Sequence, residues 1–313
     1  MTDSDVNDSL DRRDFLLRAS AGAALLAASP LLPLGAHASA QTGPQPPRAS
    51  MKKPPIGIEL YAVRNSLAKD LPGTLKAVRG YGYETVEFFA PYLAWTLPYA
   101  KTVRTMIDDL GLRCHSTHNG IGSLTPGDTM TKAIEINQIL GTRHIVLASP
   151  PMQAGGADDW KRLAGQLAAA SATLAPHGLM AGFHNHSIEW EKMADGQRPM
   201  DILAAGTPNE FVLQLDVGTA VKAGADPVAW INAHPGRIRS VHLKDWAPGE
   251  EKAEKSFRVL FGEGASPWKP IIRALESTGG VENYLMEQEG SRYSELDTAR
   301  RCLANWKALR RSV

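Results

Sequence analysis

The chain has 313 residues, and its 34 basic and 33 acidic side chains give a net charge of +1 with histidine neutral. That balance, with no Lys/Arg block and no aromatic residues interleaved with basic ones, argues against a nucleic-acid partner. Two cysteines, Cys114 and Cys302, are too few for a disulfide scaffold.

The first forty residues read as an export signal. Arg12 and Arg13 stand in Asp11-Arg12-Arg13-Asp14-Phe15-Leu16-Leu17, ahead of an alanine-rich apolar stretch from Ala19 to Leu34 and the small-residue site Ala38-Ser39-Ala40. A charged start, an apolar middle and a small-x-small site are the parts of a cleaved signal. The twin arginine addresses the Tat translocase, so a periplasmic or otherwise exported protein is expected. Tat carries folded proteins, which suits a domain that takes up a metal ion before it leaves the cytoplasm. Pro30, Pro33 and Gly35 interrupt the apolar stretch, which is short for a membrane span. Without residues 1–40 the chain keeps 31 basic and 28 acidic residues, a net of +3. Residues 41–55, rich in proline and polar side chains, read as a linker to a domain at 56–313.

Within that domain, short apolar runs fall at 56–61, 85–89, 113–117, 144–148, 179–184, 211–215, 238–243 and 284–287. Helix-like segments alternate with them at 70–81, 98–110, 128–140, 157–176, 198–206, 226–234, 267–278 and 291–311. Gly80, Gly111, Gly141 and Gly178 close several of these where a left-handed residue is wanted. Alternating strands and helices imply parallel βαβ units. Eight such units predict an α/β fold, a single (β/α)₈ TIM barrel. A doubly wound sheet is disfavoured, because no Gly-x-Gly-x-x-Gly turn follows the first strand. Both cysteines lie in regular segments and are expected unpaired.

Active sites of such barrels lie at the C-terminal ends of the strands. Polar residues gather there: Glu87 on the second strand, His118 on the third, His184 and His186 on the fifth, Asp216 on the sixth, His242 with Lys244-Asp245-Trp246 on the seventh, and Glu287 on the eighth. Carboxylates and imidazoles buried together need a compensating charge, which a divalent cation supplies. Asp216, His242 and Glu287 lie on successive strands and can converge. Mixed nitrogen and oxygen ligands suit Mn²⁺ first, with Zn²⁺, Co²⁺, Fe²⁺ or Mg²⁺ as alternatives, rather than Ca²⁺. A fourth ligand from the fifth strand would be His184, His186 or Glu189.

The runs Leu215-Asp216-Val217-Gly218, Val241-His242-Leu243-Lys244-Asp245, Gly262-Glu263-Gly264 with Trp268, and Glu287-Gln288 resemble the sugar phosphate isomerase/epimerase family of xylose-isomerase-like barrels, over residues 56–311. The resemblance implies a divalent metal at Asp216, His242 and Glu287 plus a strand-five glutamate, and proton transfer next to a sugar carbonyl. Two departures stand out. His184 replaces the strand-five glutamate, and the His-x-Lys-Asp run at 242–245 is more similar to the inosose dehydratase branch. An isomerase or epimerase acting through an enediolate is the first expectation, and a lyase or dehydratase acting on a keto-sugar, keto-cyclitol or 3-keto-glycoside the second. A non-catalytic sugar-binding barrel is the third.

Roles follow from chemistry. Glu287 can alternate between ligation and proton abstraction. His118 or His186 can be the acid/base partner, since imidazole titrates near neutrality. Lys244 can stabilise an oxyanion or protonate a leaving oxygen, or serve only as an ion-pair partner of Glu287 or Asp245. Glu59 and Glu87 can bind sugar hydroxyls, and Phe89 and Trp246 can stack on a sugar face. The loop at 247–266 carries balanced charge and reads as a solvated lid rather than a phosphate clamp, so an unphosphorylated sugar or keto-glycoside is the expected small-molecule partner. A homo-oligomer is possible.

Overall fold

The computed structural model describes residues 53–151, 155–249 and 256–313. The expected signal at 1–40, most of the linker and the charged centre of the loop after the seventh strand lie outside these residues.

Eight parallel strands close into a barrel in the order of the sequence. They are β1 (Ile56–Glu59), β2 (Thr85–Phe88), β3 (Arg113–Asn119), β4 (His144–Leu147), β5 (Met180–His184), β6 (Val212–Asp216), β7 (Ser240–Leu243) and β8 (Asn283–Met286). β8 pairs with β1, Leu285 opposite Gly57, and this closes the ring. Outside it pack α1 (Arg64–Lys69), α2 (Leu71–Tyr81), α3 (Leu97–Asp109), α4 (Asp128–Leu140), α5 (Ala157–Leu174), α6 (Pro199–Gly206), α7 (Val217–Lys222), α8 (Pro227–Ala233), α9 (Trp268–Ala274) and α10 (Glu295–Arg310). Among the described residues no helix is long and apolar enough to cross a membrane.

The apolar core lies between strands and helices. Ile58, Val86, Phe88, Ile145, Leu147, Phe183, Leu213, Leu215, Val241 and Tyr284 meet buried helix residues such as Leu75, Val78, Val103, Ile136, Leu167 and Ile271. Helix starts use local chemistry. Asp70 accepts from Gly73 N and Thr96 from Tyr99 N, and Pro72, Pro98, Pro199 and Pro227 sit in first turns, where a missing N–H costs nothing. Gly111, Gly141 and Gly178 have the expected positive φ, 66°, 72° and 73°. Gly80 does not end its helix. It lies inside α2, and Gly82 takes the left-handed conformation (φ 107°), turning the chain so that Tyr83 is buried and its hydroxyl donates to Ala299 O at 2.8 Å.

The first run is shorter as a strand than expected, because Leu60–Val63 turn into a 3₁₀ helix. The helix expected at 291–311 begins at Glu295, capped by Ser294. The one expected at 267–278 ends its α part at Ala274 and finishes in a π turn, Leu275–Gly279. Both cysteines are buried and unpaired.

Side chains alternate across a strand, so every second residue faces the barrel axis. Here the inward set is unusually polar: Glu59, Thr85, Glu87, Ser116, His118, His144, His184, Gln214, Asp216, Ser240, His242, Asn283 and Glu287 are all buried. At the N-terminal end, Glu282 plugs the barrel. Its carboxylate is 3.0 Å from Arg143 Nη1, 3.3 Å from Arg239 Nη1, 3.6 Å from His115 Nε2 and 3.8 Å from His144 Nε2. His115, His144 and Glu282 have the spacing of metal ligands. The two guanidinium groups already neutralise Glu282 and would repel a cation, so this cluster reads as a structural ion pair.

Candidate metal centre and active site

The opposite end of the barrel gathers the residues singled out from the sequence. Asp216 ends β6 and caps α7. Its Oδ1 accepts from Thr219 N at 3.0 Å, and its backbone N donates to Asn185 Oδ1 at 2.9 Å. This turn fixes the side chain and leaves Oδ2 facing the barrel axis. Gly218 sits at the tightest point, where a Cβ would come within 2.6 Å of Lys244 O.

Two groups of ligand-type atoms meet there, each drawn together within 4.8 Å and sharing His184. One is His184, Asp216 and Glu287; the other is His118, His184 and His242. His242 is tied to both sides of the site, with Nδ1 2.6 Å from Glu287 Oε2 and Nε2 2.8 Å from Glu87 Oε1. Its ring stacks on His118 at 4.9 Å. His118 Nε2 is 3.2 Å from Glu87 Oε1, and its Nδ1 is 3.7 Å from Glu59 Oε1. Lys244 Nζ lies 3.6 Å from Glu287 Oε1 and 3.9 Å from Asp216 Oδ2, and it pairs closely with Glu289.

Charge is finely divided. Burial works to raise the Glu87 carboxyl, but the neighbouring His118 and His242 outweigh it and hold it at about 2. Burial works to lower His242, but Glu87 and Glu287 lift it to about 10. His184 is pushed well down by burial and by the charges of His242 and His118. Burial raises Asp216 to about 6, with Lys244 opposing and Glu287 adding to the rise. Neutral His184 and anionic Asp216 are the forms a divalent cation takes up.

The decisive contact is one that is not made. His184 Nε2 and Asp216 Oδ2 face each other at 3.8 Å, buried, and neither has a hydrogen-bond partner among the described residues. A buried imidazole nitrogen and a buried carboxylate oxygen turned toward each other without partners are unfavourable unless a donor or a cation stands between them. With Glu287 beside them, the donor set fits a divalent metal of intermediate hardness.

Other expected residues occupy the rim. His186 is partly exposed, its ring 5.0 Å from that of His184. Glu189 is buried and its Oε2 accepts from His186 N at 2.6 Å, which closes the turn after β5. Burial raises its carboxyl to about 7. Phe89 and Trp246 are partly exposed, Phe89 packing edge-on against Tyr61 at 5.4 Å. Asp245 turns away from Lys244 and accepts from Gly262 N, Gly264 N, Ser266 N and Trp268 Nε1 at 2.9 to 3.3 Å. The Gly-Glu-Gly and Trp268 motif is thus the far side of one carboxylate.

Gln214, Ser116, Ser240 and Glu289 were not singled out from the sequence. Each stands two positions from a residue that was, on a strand or its direct continuation, and the two-residue alternation is the signal that finds them.

The xylose isomerase-like TIM barrel profile matches residues 75–308. The chain belongs to this family. An inosose dehydratase of Lacticaseibacillus casei is 29% identical over 135 residues, which is 39% of this barrel protein and 44% of that enzyme, so the match spans less than half of the relative. A protein of Escherichia coli K12 provisionally named L-ribulose-5-phosphate 3-epimerase SgbU is 26% identical over 260 residues, covering 73% of this chain and 88% of its own. A crystal structure of a sugar phosphate isomerase/epimerase from Parabacteroides distasonis superposes with a TM-score of 0.69 at 23% identity, covering 83% of this barrel protein and 96% of that one. That likeness shows the shared fold.

Proposed function

We propose that this protein is a divalent-metal-dependent enzyme that moves a proton next to the carbonyl of a small sugar or keto-glycoside. The observation that carries the reading is the buried face-off of His184 Nε2 and Asp216 Oδ2 at 3.8 Å, with Glu287 alongside. His184, Asp216 and Glu287 would hold the ion, with His242 in reach through Glu287. Mn²⁺ is our first choice and Zn²⁺, Co²⁺, Fe²⁺ and Mg²⁺ the alternatives. When bound, such an ion polarises a carbonyl and stabilises negative charge on its oxygen.

The chain's own groups supply the rest. Glu287 abstracts the acidic proton. Lys244, 3.6 Å from Glu287 Oε1, is the ammonium that returns a proton to a leaving oxygen. His118 and His186 are the alternative acid/base groups, and Glu59 is the group for sugar hydroxyls. Glu87, expected to share that task, is buried with Oε1 held by His242 and His118 and Oε2 by Ser116 and Gln214.

Of the two outcomes that share this step, the geometry favours elimination over two-base epimerisation. Epimerisation needs proton-transfer groups on both faces of one carbon. In this reading both nitrogens of His184 are committed, Nδ1 to Gln214 Oε1 at 3.0 Å and Nε2 to the proposed ion, so His184 is not available as a second base. The similarity to an inosose dehydratase fits this reading, and the longer match to the Escherichia coli protein keeps isomerisation as the second.

The test is turnover in D₂O with Mn²⁺, offering a free ketose, an inosose and a 3-keto-glucoside. Deuterium should enter beside the carbonyl. Loss of water or release of an aglycone marks elimination, whereas a product of unchanged mass marks isomerisation. Absence of exchange and of product with all three would sink the reading. Asp216→Ala should lose bound Mn²⁺, and retention of full metal content and activity would refute the ligand assignment.

We also propose export through Tat, on the strength of Arg12 and Arg13. Changing both to lysine should leave the precursor in the cytoplasm, and the mature protein should begin near Gln41. Normal export of that variant would rule the route out.

A further inference from the structure

One buried amide connects the two halves of the site. Gln214 Oε1 lies 2.6 Å from His118 Nε2 and 3.0 Å from His184 Nδ1. Gln214 Nε2 lies 2.9 Å from Glu87 Oε2 and 2.9 Å from Ser240 Oγ. An amide oxygen and nitrogen are told apart by their partners, and here one partner decides. The Glu87 carboxylate can only accept, so the NH₂ of Gln214 must face it, with one hydrogen for Glu87 and one for Ser240. The oxygen then faces the two rings, and both ring nitrogens must donate to it. His184 therefore carries a hydrogen on Nδ1, and a neutral ring with that hydrogen has its lone pair on Nε2. This is the atom that faces Asp216 Oδ2 without a partner.

We infer that Gln214, oriented by Glu87, is a positioning residue that fixes the tautomer of His184 and so presents the Nε2 lone pair to the cation. The inference rests on the proposed metal reading for its last step only; the hydrogen assignment stands on the hydrogen bonds themselves. It also gives Glu87 a task in the site, since its charge on β2 sets the state of a ring on β5. Metal-bound histidines commonly have their second nitrogen held in this way, and loss of the holding group costs about 10- to 100-fold in affinity.

The test uses the purified protein, free of metal and labelled with ¹⁵N at histidine. Long-range ¹H–¹⁵N spectra, with His184 assigned by its disappearance in His184→Gln, should show a neutral ring with the hydrogen on Nδ1. A hydrogen on Nε2 instead would overturn the inference whatever the metal does. Gln214→Leu should lose this preference and bind Mn²⁺ about 10- to 100-fold more weakly by calorimetry. Ser240→Ala should keep both the tautomer and the affinity, because Glu87 alone orients the amide. An unchanged tautomer and affinity in Gln214→Leu would refute the assignment, as would an equal loss in Ser240→Ala, which would mark mere packing. Should Gln214→Leu not fold, the wild-type tautomer still decides. If wild-type protein binds no Mn²⁺ yet shows the expected tautomer, the metal reading fails and the role of Gln214 in setting the ring survives.

Discussion

Asp216 divides its two oxygens between the fold and the candidate site. Oδ1 caps α7 through Thr219 N, while Oδ2 is left to the site. Burial lifts this carboxyl to about 6, so a growing share of it is protonated below that pH. A ligand must be deprotonated to bind metal. Mn²⁺ affinity should therefore rise as pH increases through about 6 and level off above it; a flat profile from pH 5 to 8 would contradict the assignment. Lys244 bears on the same centre with the opposite sign. Its ammonium lies within 4 Å of Asp216 and Glu287, where it competes with a cation for the same negative charge. Lys244→Met should bind Mn²⁺ at least as tightly as the wild type, yet turn over more slowly by about 10²-fold or more if Lys244 is the general acid. Weaker metal binding with unchanged turnover number would show that the lysine organises the ligands rather than moving a proton.

At the scale of elements, the segment after β7 is organised by Asp245. Its carboxylate gathers Gly262 N, Gly264 N, Ser266 N and the Trp268 indole. Gly264 leaves no room for a side chain, because a Cβ would lie 2.3 Å from Asp245 Oδ1. These bonds tie the loop and the first residue of α9 to the segment that follows β7, next to Lys244. A buried donor left without its charged acceptor costs roughly 1–3 kcal/mol, so Asp245→Ala, which orphans several at once, should lower stability by about 3 kcal/mol or more. Urea denaturation measures the loss, and hydrogen exchange should localise it to residues 260–268. A change of a few tenths of a kcal/mol would mean that the loop is held by packing alone.

At the scale of the whole barrel, one end gathers the candidate site and the other carries a charged cluster. Glu282 links β8 to Arg143, Arg239, His115 and His144 across the N-terminal mouth. Burial would raise its carboxyl, but the hydrogen bond with His115, the neighbouring His144 and the guanidinium groups of Arg143 and Arg239 hold it down at about 2. A carboxyl with a depressed folded pKa contributes stability that is complete above its ordinary value and is lost as pH falls toward the folded one. Glu282→Gln should therefore be less stable than the wild type by about 1–3 kcal/mol at neutral pH, and the gap should narrow as pH falls from about 5 toward 2. Thermal melts across that range check it; a gap that is constant with pH would assign the effect to shape rather than charge.

Much of this architecture was legible in the chain. Strand and helix periods are local, set by which neighbours are apolar, so eight alternating units and their order follow from the sequence. The polar residues that end those strands are legible too, and they name Glu59, Glu87, His118, His184, Asp216, His242 and Glu287. Helix ends were legible where a single glycine stood there and not where two competed, as at Gly80 and Gly82. α7 was missed because Asp216 both ends a strand and caps a helix, and its motif reads as the strand end alone. Only closure of the barrel decided which side chains meet. Gln214 touches His118, His184, Glu87 and Ser240, which stand on β3, β5, β2 and β7. His242 joins Glu87 to Glu287 across 155 and 45 residues of sequence. Such contacts depend on the curvature and stagger of a closed sheet, a property of all eight strands together, and no local pattern encodes it.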